Sequence, residues 1–316
     1  MYKFFVKSSQ IVEENNNINN AIIAENTSKS NNSDNNLIAT IIGEDVNHIA
    51  NVLRLAVGEN IIICNKDTET SYSATITRIC KECVECKIQQ EAIETVECPI
   101  DIDLFQGLPK SDKMEYIIQK TTELGVKNIF PVEMERCVVK LDHKSMAKKI
   151  ERWSKIAEAA AKQSKRDVIP EIKNVINLEN ICKNTEKYDI ILLAYENEEK
   201  NTLKNELQKL KNNINIQDEE IIMNTAKDYE NDSIRKNEKE EQAKKNQEEI
   251  KQNEKCFNSK KLKIGVVIGP EGGLSTKEVD KLINSGAKCV TLGKRILRTE
   301  TAPIVIISNI IYEFEM

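Results

Sequence analysis

The passage from Ile264 to Thr301 restricts the fold more than any other part of the chain. The run Ile264–Ile268 (IGVVI) is apolar, rich in β-branched residues and unbroken by polar side chains, the pattern of a strand buried on both faces. It ends in Gly269-Pro270-Glu271-Gly272-Gly273, where glycines permit backbone angles and close approaches that a Cβ forbids. Ser275 stands three residues before Glu278, a capping box, and Leu274 and Val279 occupy the hydrophobic-staple positions. The spacing therefore predicts a strand, a glycine loop and a helix that stops near Gly286. A second strand, Cys289–Leu292, leads into a second loop, Gly293–Thr299, and another helix. Two successive loops at strand C-termini are where an open α/β sheet takes its ligand. A plain tight turn is the competing reading of GPEGG.

The rest of the chain divides by pattern. Of 316 residues, Leu37–Gln90 form short segments (LIATII, ENIIIC, YSATITRI, VECKIQQ) that read as strands of a small β-barrel. Among them only HIANVLRL has helical spacing, with Ile49, Val52, Leu53 and Ala56 on one side. From Cys98-Pro99 onward strands and helices alternate, which predicts a mostly parallel sheet covered on both faces. Strands are expected at Ile102–Gly107, Asn128–Val132 and Tyr188–Tyr195. Helices are expected after Asp112, through Leu124, and over Ala147–Ser164. The domain boundary falls at 97/98. Two polar stretches interrupt the pattern: an Asn-rich loop at 13–36 and a Lys/Glu/Asn-rich insertion at about 212–259, both too polar to bury a core.

Composition excludes several classes. No apolar run approaches the length of a membrane span. Nine cysteines at irregular spacing, with no signal peptide, favour reduced thiols in a cytoplasm. Cys80, Cys83 and Cys86 have close metal-ligand spacing, but no second CxxC or His pair completes a zinc set, and small hydrophobes in a barrel are the better reading. The net charge of −5 argues weakly against a nucleic-acid partner. Locally, however, Lys140–Arg166 holds nine Lys/Arg against three Asp/Glu, either a solvated helix face or a surface for an anionic macromolecule. GPEGGLS lacks the Gly-Lys-Ser/Thr of a P-loop, no GxGxxG occurs, and the two histidines, His48 and His143, lie far from Gly269. In the second loop Arg295, Arg298 and Glu300 cluster at a strand end, as a structural ion pair or as groups serving a reaction.

IGPEGGLSTKEV followed by LGKRILRTETA resembles the signature of the SPOUT methyltransferases and, within them, the 16S ribosomal RNA (uracil-N3)-methyltransferase family, the ribosomal RNA small subunit methyltransferase E family. The likeness extends through Lys110–Lys140, Arg152–Ile172 and His48–Ile61, most of the chain outside the two polar stretches. The departures are those stretches and the cysteine run; none touches the signature loops.

The resemblance implies a PUA-like RNA-binding β-barrel at 1–97 and an α/β SPOUT domain with a trefoil knot at 98–316. It implies a homodimer that uses S-adenosyl-L-methionine and no metal, acting on 16S rRNA in the small ribosomal subunit. The cofactor is expected against Leu193, Ala194, Glu196, Gly269, Pro270, Glu271, Gly272, Gly273, Leu292, Gly293, Ile296, Leu297, Thr301 and Ala302. Arg298 is expected to stabilise charge on the uracil carbonyls, with Glu271 or Glu300 as base or as orienter of Arg298. Lys110, Lys113, Arg136, Lys165 and Arg166, with Arg54 from the barrel, are expected on RNA phosphates. For Arg54 the alternative is a snorkelling surface side chain. A non-catalytic RNA-binding or assembly protein, or a SPOUT enzyme of transfer RNA, remains the alternative function.

Overall fold

The computed structural model describes residues 1–13, 37–91, 95–139, 143–214 and 261–315. The Asn-rich stretch beyond residue 13 and the polar insertion from residue 215 onward lie outside the described residues. The chain divides into two compact units, Met1–Glu97 with Glu151–Glu171, and Cys98–Ile150 with Ile172–Met316.

The first unit is a curled six-stranded sheet. Its strands are β1 (Lys3–Val6), β2 (Ile11–Glu13), β3 (Leu37–Ile42), β4 (Asn60–Asn65), β5 (Ser71–Ile79) and β6 (Cys83–Glu91), in the order β1-β4-β5-β6-β3-β2. Only β1 with β4 is parallel. Strict alternation builds the core: Val84, Cys86 and Ile88 turn inward to meet Ile41, Ile61, Ile63 and Ile76, while Lys87 and Gln89 face out. Cys80 belongs to the hairpin turn, its N–H donating to the Cys83 carbonyl at 2.8 Å. Cys86 is sealed in the core, and burial pushes its thiol up to about 12. Among the described residues no three His, Cys, Asp or Glu side chains converge to hold a metal.

HIANVLRL is less helical than its spacing predicts. A short helix, α1 (Glu44–Asn47), runs into a π-turn at His48–Val52, and Arg54 reverses the chain at φ +54°. Ile49 is buried, whereas Val52 and Ala56 face outward. The apolar stripe ends after one turn because the chain leaves the helical path before it can repeat.

The second unit is a parallel sheet between helices. Its strands are β7 (Asp101–Gly107), β8 (Asn128–Glu133), β9 (Glu171–Ile172), β10 (Ile176–Asn177), β11 (Ile190–Ala194), β12 (Lys263–Ile268) and β13 (Lys288–Val290). The order is β10-β8-β7-β12-β11-β13, with β9 beside β8, and every pair along that path is parallel. The apolar run Ile264–Ile268 lies in β12, between β7 and β11, which is why it tolerates no polar residue.

The helices that follow are α2 (Lys113–Glu123), α3 (His143–Gln163), α4 (Leu178–Cys182), α5 (203–214), α6 (Thr276–Asn284) and α7 (Ala302–Phe314). The Ser275–Glu278 capping box is present on α6: Ser275 N donates to Glu278 Oε2 at 2.9 Å, and Gly286 closes the helix end at φ +104°. At α2 the expectation fails in part. Asp112 occupies the cap position, but at ψ 6° its side chain accepts no capping bond. Because β7, β11, β12 and β13 run the same way, Gly107, Ala194, Ile268 and Val290 all end at one edge of the sheet.

Candidate active site

That edge holds a cavity of about 420 Å³, within the usual range for a small-molecule site. Of the residues expected at a cofactor, Ala194, Glu196, Gly269, Pro270, Glu271, Gly273, Leu292, Gly293, Ile296, Leu297 and Ala302 line it, together with Arg298. Leu193, Gly272 and Thr301 do not: Leu193 is wholly buried in the strand beneath. Ile296 is only a rim residue, 84% exposed, because the second loop turns its side chain outward.

The glycine loop owes its shape to contacts from three elements. Gly273 lies at φ +66°, and a Cβ there would meet Glu196 Oε1 at 2.5 Å. Its N–H closes the turn on the Pro270 carbonyl at 2.9 Å. A Cβ on Gly107, at the end of β7, would meet both Pro270 Cδ and Pro270 N at 2.7 Å. Only glycine lets Pro270 seat there. The second loop is tied to the first through a buried chain: Gln106 Nε2 donates to Thr299 Oγ1 at 2.9 Å, and Thr299 Oγ1 donates to the Gly269 carbonyl at 2.7 Å. Gln106 and Thr299, both buried, are absent from the sequence reading. Their one available signal was a polar side chain, Gln106, ending the otherwise apolar segment Leu104-Phe105.

Four charged side chains form a linked set beside the cavity: Lys113, Glu271 and Arg298 line it, and Glu300, close to Arg298 in the chain, does not. Glu271 accepts the Lys110 backbone N–H at 3.0 Å and pairs with Lys113 Nζ at 3.1 Å. Lys113 also reaches Glu300 Oε2 at 3.2 Å, and Glu300 Oε1 lies 4.0 Å from Arg298 Nη1. Partial burial alone would push the Glu271 carboxyl up. The N–H groups of Glu271 and Lys110 and the Lys113 ammonium outweigh that and hold it below the usual carboxylate range. Hydrogen bonds to Glu271 and then Glu300 raise the Lys113 ammonium above its ordinary value. Arg298 remains 81% exposed with its guanidinium at the cavity.

The structure sorts the cations expected on phosphates. Arg54 and Lys165 are exposed on the first unit, both at positive φ (+54° and +58°); Lys110 and Arg136 are exposed on the second. Arg136 in addition donates to the Gly272 carbonyl at 2.9 Å, so it shapes the glycine loop. Two expectations are corrected. Arg166 is buried and paired with Glu97 at 2.5 Å, and a sealed guanidinium has no face for a phosphate. Lys113 is neutralised by two carboxylates at the cavity and belongs to that site.

A family model described as an RNA methyltransferase domain matches residues 96–225 and 223–311, and one described as an RNA methyltransferase PUA domain matches residues 41–89. The chain is 34% identical over 279 residues to ribosomal RNA small subunit methyltransferase E of Bacillus subtilis (strain 168), covering 88% of this chain and 91% of that one. It is 28% identical to the protein of the same name from Buchnera aphidicola subsp. Acyrthosiphon pisum, covering 84% of each chain. Among solved structures, ribosomal RNA small subunit methyltransferase E of Neisseria gonorrhoeae bound to S-adenosyl methionine superposes with a TM-score of 0.64 at 25% identity, covering 99% and 97%. A methyltransferase from Legionella pneumophila in complex with bound SAM gives 0.61 at 26%, covering 88% and 92%.

Proposed function

This chain belongs to the RNA methyltransferase family whose relatives are named ribosomal RNA small subunit methyltransferase E, and we propose that it methylates N3 of a uridine in 16S rRNA, using S-adenosylmethionine. The observation that carries this reading is the strand-end cavity closed by two interlocked loops, with an exposed arginine and a paired carboxylate at its mouth. The residues present fit the cofactor. A cavity of about 420 Å³ with apolar walls at Ile268, Leu292, Leu297 and Ala302 suits a flat uncharged purine, and backbone groups freed at Gly269–Gly273 suit its polar edges. Of the two lining carboxylates, Glu271 is paired with Lys113 and Glu196 would be the one to face a cationic group. When bound, S-adenosylmethionine supplies an activated methyl on a sulfonium centre.

The remaining work falls to this chain. Uracil N3 must lose its proton, and the base must be unpaired or flipped out to expose it. Arg298 donates to the carbonyl oxygens as they gain negative charge. Glu271 is committed to the Lys110 N–H and to Lys113, and a carboxylate held low in pKa is a poor proton acceptor. Glu300 shares Lys113 with Glu271 but lies 4.0 Å from Arg298, and it is the carboxylate assigned to orient Arg298 and to take the N3 proton. Residues 1–97 are read as the RNA-binding domain and 98–316 as the transferase domain, with Arg54, Lys165, Lys110 and Arg136 on phosphates. A homodimer in the cytoplasm completes the reading; no described helix is long and apolar enough to cross a membrane.

The test is to incubate the purified protein with labelled S-adenosylmethionine and small ribosomal subunits and to map the modified nucleotide. Label at uracil N3 of 16S rRNA is expected. Cofactor and RNA binding without incorporation would indicate an RNA-binding or assembly protein, and label on transfer RNA alone would move the substrate to that class.

A further inference from the structure

Lysine at the first position of a helix is electrostatically misplaced, since the helix dipole puts partial positive charge there. Lys113 opens α2 in just that position. The turn that delivers it is also strained: Ser111 adopts φ +55°, a conformation that costs a non-glycine residue about 1 kcal/mol or more. Two unfavourable local choices in three residues imply that tertiary contacts over-determine this corner. Those contacts are Glu271 of the glycine loop at 3.1 Å and Glu300 of the second loop at 3.2 Å. The same turn aims the Lys110 N–H at Glu271. Lys113 thus pairs with a carboxylate from each of the two loops that form the cavity.

We propose that Lys113 is a positioning residue of the methyl-transfer site, holding Glu271 and Glu300 together so that Glu300 and Arg298 keep their reactive placement. The inference rests on the function proposed above. Without the ammonium, two carboxylates from different loops face each other across one point, and like charges at that spacing repel. The two carboxylates then swing apart, although the buried Thr299 bond to the Gly269 carbonyl still holds the loops together. The Arg298 backbone stays fixed by the N–H groups of Thr301 and Ala302 on its carbonyl, but its guanidinium, which faces Glu300 at 4.0 Å, loses its fixed direction. Stability barely enters. Lys113 and its partners are 19–32% exposed, and ion pairs of that kind contribute little to folding. A structural residue would show its loss in the unfolding transition; a positioning residue shows it in turnover.

The experiment compares wild type, Lys113→Met and Lys113→Arg, each as the full chain. Lys113→Met is expected to lower kcat at least tenfold while S-adenosylmethionine affinity and the thermal midpoint stay close to wild type. Lys113→Arg, which keeps the charge and the reach, is expected to recover kcat to within about threefold. A readout independent of activity is the carboxyl titration of Glu271, followed by carbon-detected NMR on the ligand-free protein. Its midpoint is expected to rise in Lys113→Met, leaving only the backbone N–H groups of Glu271 and Lys110 to hold it down, with Glu300 and Arg298 as the nearby charges. An unchanged kcat in an active background, or a Glu271 midpoint that does not move, overturns the proposal. Should wild type transfer no methyl group at all, the functional reading fails on its own, while the Glu271 titration still decides whether Lys113 governs the pair.

Discussion

Each unit of this protein contains a knot of charged side chains, and the two differ in how completely they are satisfied. In the first, Asp167 is 4% exposed and accepts from Lys3 Nζ at 2.6 Å, Ser71 Oγ at 2.9 Å, Val96 N at 3.0 Å and Thr95 Oγ1 at 3.2 Å. Glu97 beside it takes the Arg166 guanidinium and the N–H groups of Asp167 and Val168. In the second, Glu271, Lys113, Glu300 and Arg298 form a chain that opens from half-buried to exposed, and its last link is 4.0 Å long. A buried carboxylate with five donors, the Cys64 thiol at 3.8 Å included, has no capacity left for a ligand; its function is to hold the segment around residue 167 against β1, β4 and β5. A chain of charges that ends in a loosely held guanidinium beside a cavity keeps its capacity for something else. Saturation separates scaffold from site here better than charge or burial alone.

The contrast can be broken most sharply at Asp167. Replacing it with alanine leaves Lys3 buried without a partner, which costs about 3–5 kcal/mol. Urea unfolding should show that loss, and a change below about 1 kcal/mol would mean the network is not structural. The corresponding change in the second unit, Arg298→Ala, should leave unfolding alone and lower turnover by about 100-fold or more, with cofactor affinity preserved in calorimetry. Poor cofactor binding with normal turnover would remove Arg298 from the chemistry.

A smaller effect is expected from Gly107→Ala, since the new methyl would need Pro270 to move from 2.7 Å. Overpacking of this kind costs about 1–3 kcal/mol, and it should appear as weaker S-adenosylmethionine binding, about tenfold. Unaltered affinity would show that the glycine loop gives way freely. Acid sharpens the comparison further. Burial pushes the Asp167 carboxyl up, but Lys3, the Val96 N–H and Ser71 bring it net below the usual value. Its stabilisation is therefore complete above the unfolded-state pKa of about 3.9 and is lost as pH falls through the lower folded value. Asp167→Asn should flatten the acid limb of stability measured by denaturant unfolding between pH 6 and 2; an unaltered limb would assign it to other carboxylates. The smallest effect is set for Lys66→Ala, whose pair with Glu158 is 35% exposed on both sides. Less than about 1 kcal/mol is expected, and a larger change in urea unfolding would mean that surface pairs on this unit are coupled to the Asp167 network.

Much of this was readable along the chain. Ile264–Ile268 announced a doubly buried strand, Ser275 and Glu278 announced their helix start, and Gly269–Gly273 with Gly293–Thr299 announced two loops at strand ends. The reading went astray wherever a residue's fate depended on a distant partner. Lys113 and Arg166 look alike as basic residues at helix or loop ends. One faces Glu271 and Glu300 at a cavity and the other is sealed against Glu97, and nothing within a turn of either residue carries that distinction. Val52 had the right spacing for a core face but ends the π-turn at His48–Val52, which turns it to solvent.

Local pattern records which face of an element is apolar, where backbone donors need a cap and where only glycine fits, because those demands act between neighbours in the chain. By that route the sequence alone determined the α/β class, the order of its longer strands and helices and the two loops at strand ends; the short β9, β10 and α4 carried no such pattern. Which strands lie side by side, and which polar groups meet once they do, depends on contacts between residues as far apart as Gln106 and Thr299, 193 positions along the chain. The sheet order β8-β7-β12-β11-β13 brought them together, and only the tertiary structure could decide that Gln106, Thr299 and Lys113 hold the two loops as one site.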